Sequence, residues 1–293
     1  MHVLLTGALG RCGMRTLSQL LDEGHTVLAT DRTSPSSPLG DGAEFMAADL
    51  TLLHDIDALF KHRFDGVIHL GAIPNPVPEI DDRELHANNV VSSYNVMRTA
   101  VDHGVRRIVQ ASSVNAHGLS FAPPGHTAFD RFPITEAVER RDEDAYATSK
   151  HECEVQASAL VRYAPGTRIA SLRPHMVRDD YASAYPDTEA RDIFSWVSYA
   201  AVARAAVLAL TSEGWGGHEV FNIVAPEICW EGSVEEQYID KDGEPPAHKV
   251  GTLELVRKYW PNVEVDEEYW RDRPRRAVWD SSKAERLLGW RHE

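Results

Sequence analysis

Val3-Leu4-Leu5-Thr6-Gly7-Ala8-Leu9-Gly10-Arg11-Cys12-Gly13 is a short apolar run followed by three glycines at intervals of three. That order specifies a buried strand, a tight turn and the start of a helix. Each glycine has a separate task there. Gly7 permits the turn, Gly10 lets phosphate groups come near the backbone, and Gly13 lets the helix lie close on its sheet. Unpaired N–H groups and the dipole at a helix N-terminus attract anions, so the ligand expected at this turn is a pyrophosphate.

Short apolar runs and longer amphipathic ones keep alternating beyond it, the pattern of βα units that feed a parallel sheet. Strands are expected at Thr26-Val27-Leu28-Ala29, Glu44-Phe45-Met46, Val67-Ile68-His69-Leu70, Arg107-Ile108-Val109-Gln110, Arg168-Ile169-Ala170-Ser171-Leu172 and Val220-Phe221-Asn222-Ile223-Val224. The longest helices should cover 82–103 and 144–163, with an alanine-rich one over 200–211. The fold class is therefore α/β: a Rossmann-type, doubly wound parallel sheet of about seven strands. Beyond Pro226, Trp, Pro and charged residues crowd together, and clear helical periodicity returns only at 282–288. The division expected is a dinucleotide-binding domain at 1–173 with about 194–224, and a small substrate-binding lobe from about 174–193 and 225–293. The stretches 118–133 and 174–192 are long for plain connections and should join that lobe.

Composition narrows the function classes. The 293 residues carry 45 Asp and Glu against 30 Lys and Arg, a formal charge of -15 that repels nucleic acid and anionic membranes. Cys12, Cys153 and Cys229 are widely spaced and form no CxxC pair, so neither a disulfide framework nor a metal site is expected. The first apolar run is too short for a signal peptide and no run is long enough to span a bilayer, which points to a cytoplasmic protein.

Asp31 ends the second strand, where a carboxylate can accept hydrogen bonds from both hydroxyls of an adenosine ribose and repel a 2'-phosphate. That favours NAD over NADP, although the neighbouring Arg32 could serve the extra phosphate. Asp49-Leu50 after the third strand either meets the adenine edge or begins the next helix as its cap. Tyr146 and Lys150 stand four residues apart and project from one face of a helix. A phenol is a poor base near neutrality, and a nearby ammonium favours its phenolate form. Ser112-Ser113 ends the fifth strand at the sheet edge where such folds place ligands. Asn89, early in the preceding helix, either holds a water linked to Lys150 or packs the helix.

These segments together, with His69-Leu70-Gly71-Ala72, Asn89-Val90, Leu172-Arg173-Pro174 and the stretch 280–290, resemble the extended short-chain dehydrogenase/reductase superfamily, which includes the NAD-dependent epimerase/dehydratase family. The resemblance implies Ser113, Tyr146 and Lys150 as the catalytic trio, with Asn89 as a fourth member. It puts Gly7, Leu9, Gly10, Gly13, Asp31, Arg32, Asp49, Leu50, Leu70, Gly71, Ala72, Asn89, Tyr146 and Lys150 at an NAD molecule. It also implies a homodimer built on the two long helices, and no metal. The Asn-x-Tyr-Gly-Pro element of nucleotide-sugar epimerases is replaced here by 173–178, and the Thr-Asp-Glu of sugar dehydratases by Ser113-Val114-Asn115.

The remaining pattern is most similar to uronate dehydrogenases, so the activity expected is NAD-dependent dehydrogenation of a sugar or sugar acid, with epimerisation as the alternative and a non-catalytic dinucleotide sensor as a second one. Asn75, Ser113, Asn115, His117 and His175 follow strand ends and are the candidate substrate contacts. Arg178 and Arg191 are candidate carboxylate binders or surface ion pairs. Trp196 and Trp230 either stack on a sugar or pack the core.

Overall fold

The first strand, β1 (His2–Thr6), is buried on both faces. Val3 and Leu5 enter one apolar core and Leu4 another, as a period-two strand must when helices cover both sides of its sheet. The computed structural model that shows this describes residues 1–123, 126, 129–235 and 249–292.

In chain order β1 is followed by α1 (Arg11–Asp22), β2 (Thr26–Asp31), β3 (Ala43–Ala47), α2 (Leu53–Leu59), β4 (Gly66–His69), α3 (Asp82–Asp102) and β5 (Arg107–Ala111). Next come β6 (Arg131–Phe132), α4 (Ala145–Tyr163), β7 (Arg168–Pro174), β8 (Val177–Arg178), α5 (Tyr181–Ala184), β9 (Val197–Ser198) and α6 (Tyr199–Thr211). The described chain closes with β10 (His218–Ile223), α7 (Thr252–Tyr259), β11 (Glu264–Val265) and α8 (Ser282–Leu288).

Seven strands form one parallel sheet in the order β10-β7-β5-β4-β1-β2-β3. This is the Rossmann-type α/β architecture. The strand order reverses between β1 and β4, which opens a crevice at their carboxyl ends where ligands of such sheets bind. On one face, α1 and α6 pack with Leu17, Leu20 and the alanines of α6, whose small side chains let the helices approach. On the other, Ile56, Val96, Met97, Ala157 and Leu160 of α2, α3 and α4 meet Leu4, Val67 and Ile108.

The stretches outside the sheet gather at its carboxyl side. β6 pairs with β11 and β8 with β9, and Leu119, Phe129, Phe132 and Ile134 join Val256, Trp270 and Trp279 in a separate apolar cluster. Residues 124, 125, 127, 128 and 236–248, which belong to those expected lobe segments, lie outside the described residues. α7 was not expected from the sequence: two helical turns are too few for a helical period to stand out. Trp196 and Trp230 are buried in the aromatic packing of this region, the core alternative for both.

Candidate active site

The turn between β1 and α1 is shaped by what its glycines leave out. Gly7 has φ +65, and a Cβ there would lie 2.6 Å from the Gly71 nitrogen; a Cβ on Gly13 would lie 2.1 Å from the Gly7 carbonyl oxygen. Both positions are closed by backbone. Gly10 differs: its Cβ direction meets only the Gly7 oxygen, at 3.4 Å, and is otherwise open. Helix α1 starts here with no side chain capping it and no acidic residue in its first turn. An open wall beside uncapped N–H groups fits a pyrophosphate, so the residues present suit a dinucleotide.

Around that turn the other cofactor candidates converge. Asp31 accepts the Leu9 N–H at 3.1 Å and the Arg32 N–H at 2.8 Å, which fixes its carboxylate beside the loop, while the Arg32 side chain is exposed. Thr6 Oγ1 lies 2.7 Å from His69 Nδ1 and accepts the Gly71 N–H at 3.2 Å, binding the ends of β1 and β4 together. Leu70 and Gly71 therefore border Gly7 directly, with Ala72 next in the chain. Leu50 reaches the same place, its Cδ1 lying 2.9 Å from where a Gly71 Cβ would be. Asp49 accepts the Thr51 hydroxyl and N–H at 2.7 and 2.9 Å, bonds that hold its carboxyl below the usual carboxylate range. The helix-cap alternative for Asp49 is corrected, because Leu52 occupies the cap position of α2.

On the other side of the crevice, Asp144 caps α4 by accepting the Ala147 N–H at 2.8 Å and so sets Tyr146 in the first turn. Tyr146, Lys150, Ser113 and Asn89 are all buried, at 6, 4, 5 and 2 % exposure. Ile73, Ile80 and Leu85 frame the Tyr146 ring, and Phe121 meets it edge-on at 5.8 Å. Ser113 lies near enough to the Tyr146 hydroxyl to lower its pKa somewhat. Adjacent Ser112 turns the other way and donates to Glu154 at 2.6 Å. The geometry thus separates two serines that are alike in sequence.

Lys150 Nζ donates to the Ala111 carbonyl at 2.9 Å and lies 5.7 Å from the centre of the Tyr146 ring. Burial pushes the Tyr146 phenol up to about 12, against a smaller lowering from Ser113. The expected depression by Lys150 is absent. Desolvation of the phenolate dominates, and burial also lowers the Lys150 ammonium. Asn89 is tied elsewhere than expected: it accepts the Ile73 N–H at 2.8 Å and donates to the Ile73 carbonyl and Ser149 Oγ. It fastens the loop after β4 to α4, which is the packing alternative.

The substrate candidates are less uniform. Asn115 donates its N–H to Ser113 Oγ at 3.1 Å and accepts the Ser120 N–H at 2.8 Å, so it borders Ser113. Asn75 donates to the Pro76 carbonyl. His117 and His175 are each 2 % exposed and pack against Trp279, with ring centres 5.6 and 5.8 Å away. Burial, with Arg173 beside His117, lowers the two imidazoles to about 3 and about 4, so both are neutral near pH 7. Arg178 and Arg191 pair with Asp187 and Glu189 near the surface, the ion-pair alternative. Among the described residues no group of three or more His, Cys, Asp or Glu side chains is placed to hold a metal, and no helix is long and apolar enough to cross a membrane.

Sequence reasoning missed Glu154 and Arg173. They form a two-pronged ion pair, Arg173 Nε to Oε1 and Nη2 to Oε2 both at 2.7 Å, with side chains 1 and 0 % exposed. Two signals were available. Glu154 continues the four-residue spacing from Tyr146 and Lys150, and an arginine inside the buried strand β7 requires a counter-ion.

Comparison with known proteins fits this geometry. The chain is 30% identical over 156 residues to the UDP-glucose 4-epimerase of Caenorhabditis elegans, a match covering 46% of this chain and 42% of that enzyme, so it spans less than half of that relative's length. It is 27% identical over 233 residues to the uronate dehydrogenase of Pseudomonas syringae pv. tomato, covering 78% of this chain and 76% of the relative. The UDP-glucose 4-epimerase structure from Thermotoga maritima, with UDP-glucose, shares the fold at a TM-score of 0.68 and 20% identity, covering 99% of this chain and 93% of that one. Residues 3–211, which contain the glycine turn, the serine turn and the tyrosine–lysine helix, match one family model, and the chain belongs to the NAD dependent epimerase/dehydratase family, whose cofactor is NAD.

Proposed function

We propose that this protein is an NAD-dependent oxidoreductase that moves a hydride between nicotinamide and the hydroxyl- or carbonyl-bearing carbon of a sugar or sugar acid. The observation that carries the reading is the burial of Tyr146, Ser113 and Lys150 together at the carboxyl edge of the sheet, with Lys150 Nζ 5.7 Å from the Tyr146 ring centre. When bound, NAD supplies the hydride acceptor or donor. The turn residues Gly7, Leu9, Gly10 and Gly13, with Asp31, Arg32, Asp49, Leu50, Leu70, Gly71 and Ala72, would hold it. Ser113 and Asn115 would hold the reacting oxygen by hydrogen bonds. Tyr146 takes the hydroxyl proton in oxidation and returns it in reduction, and Lys150 supplies the positive charge that makes its phenolate accessible. The segments near 174–193, 225–235 and 249–292 would form the wall that receives the rest of the sugar.

Dehydrogenation is favoured over epimerisation by the sequence at 173–178, which replaces the Asn-x-Tyr-Gly-Pro element of nucleotide-sugar epimerases. The epimerase reading has its own support in the higher identity to the nematode enzyme over a shorter segment. Both use the same trio. A panel of aldoses and uronic acids incubated with NAD should give NADH absorbance with at least one member. UDP-glucose isomerised with no net change in cofactor, and no sugar oxidised, would replace the dehydrogenase reading by the epimerase one.

A second copy of the chain is the proposed partner of α3 and α4, which expose Val91, Tyr94 and Val155. Sedimentation at micromolar concentration should report a dimer; a monomer would end that proposal.

A further inference from the structure

Glu154 and Arg173 have no part in the proton and hydride steps, yet they are the most deeply buried charges near them. Moving each ion out of water costs several kcal/mol, and an apolar pair of the same volume often serves stability as well. What an apolar pair cannot do is fix directions between elements, and each contact of this pair reaches a different one. Ser112 Oγ, after β5, donates to Glu154 Oε1 at 2.6 Å. Arg173 in β7 donates to both carboxylate oxygens, and Arg140, ahead of α4, donates to Oε2 at 2.7 Å. The remaining prong of Arg173, Nη1, lies 2.5 Å from His117 Nε2, at the end of the single 3-10 turn Val114–His117 that follows Ser113.

We infer that Glu154, braced by Arg173, is a positioning residue that holds the Ser112–His117 turn against α4 and thereby sets where Ser113 stands beside Tyr146. The turn is gripped at both ends, by Ser112 on the carboxylate and by His117 on the guanidinium. The helix that carries Glu154 also carries Tyr146 and Lys150, one turn apart on the same face. Burial alone would raise the Glu154 carboxyl, but Arg173 and Ser112 hold it down at about 2, so the clamp stays ionised through the range in which enzymes of this kind work.

The inference rests on the roles proposed for Ser113 and Tyr146, and its test separates the two. In Glu154→Gln, kcat should fall roughly tenfold or more, since small misplacements of reacting groups cost that much. NAD affinity, read by fluorescence titration, should stay within about twofold of wild type, because the Glu154 carboxylate hydrogen-bonds Ser112, Arg140 and Arg173 and none of the cofactor candidates. Amide hydrogen exchange should quicken in 112–118, which includes the Asn115 N–H bonded to Ser113 Oγ, and not in α3. Ser112→Ala, which removes one contact and leaves the ion pair, should keep its melting temperature and still lose about threefold to tenfold in kcat. The double variant Glu154→Leu/Arg173→Met should recover stability without recovering kcat.

Wild-type kcat in Glu154→Gln and Ser112→Ala, or kcat and stability recovering together in the double variant, would overturn the positioning role. If the wild-type protein turns over no substrate at all, the oxidoreductase reading falls by itself. Exchange then decides the clamp, and unchanged rates at 112–118 in both Glu154→Gln and Ser112→Ala would reject it.

Discussion

At the scale of single residues, the decisive group is the Tyr146 phenol. Burial places it near 12, so it holds its proton throughout the neutral range. That form suits reduction, where a carbonyl oxygen must be protonated; under the proposed reading, oxidation needs the phenolate. Tyr146→Phe keeps the ring against Ile73, Leu85 and Phe121 and removes only the hydroxyl. It should fold normally and bind NAD within a few-fold of wild type, while turnover drops by roughly a hundredfold to ten-thousandfold, the usual worth of a positioned acid–base. Turnover left intact would remove Tyr146 from the reaction.

At the scale of elements, the β1–α1 turn offers a comparison in which two similar substitutions should behave differently. Gly13→Ala drives a methyl group into the Gly7 and Ala8 backbone, which cannot yield without moving α1 off the sheet. Its melting temperature should fall, and NAD binding with it. Gly10→Ala meets one oxygen at 3.4 Å and open space beyond, so the fold should hold while the methyl occupies the volume proposed for phosphate. A Gly10→Ala protein with near-wild-type melting and a much weaker NAD titration is the expected result; equal loss of stability in both would show that the turn is only a packing joint.

The contrast also marks what the sequence makes legible. Long periodic elements and glycine spacing are local signals, and they give β1, α1, α3, α4 and the seven-strand sheet. Two-residue strands such as β6 and β8 and the two-turn helix α7 carry too little pattern to be read. The site divides the same way. Tyr146 and Lys150 are visible because one helix holds both, whereas the grip of Glu154 on Arg173 joins α4 to β7 and becomes visible only once those elements are in place. Asn89 shows a further limit, since its position is legible but its attachment to Ile73 depends on the loop after β4.

For the molecule as a whole, buried imidazoles set how stability responds to acid. His69, His117 and His175 are buried and His218 is half-buried, and desolvation lowers them to about 3, 3, 4 and 4. A histidine whose folded pKa is depressed leaves the unfolded chain binding more protons below its ordinary value of about 6.5, so its contribution is intact above that pH and is lost as pH falls. At about pH 5 each such group costs on the order of 2 kcal/mol, and the four together reach the size of a typical domain's entire stability. Buried Glu154 does not enter this window, because a carboxyl depressed to about 2 withdraws its stability only below the ordinary carboxylate range. The formal charge of -15 predicts the opposite trend, since acid relieves self-repulsion and should stabilise. Urea midpoints measured from about pH 8 down to pH 5 separate the two effects: the histidines require a steep fall beginning near pH 6.5, and His218→Asn, which removes one titrating ring beside Ser158 and Ser171, should make that fall shallower. A midpoint that rises or stays level toward pH 5 would mean that these rings accept protons in the folded protein and that their polar surroundings open to water.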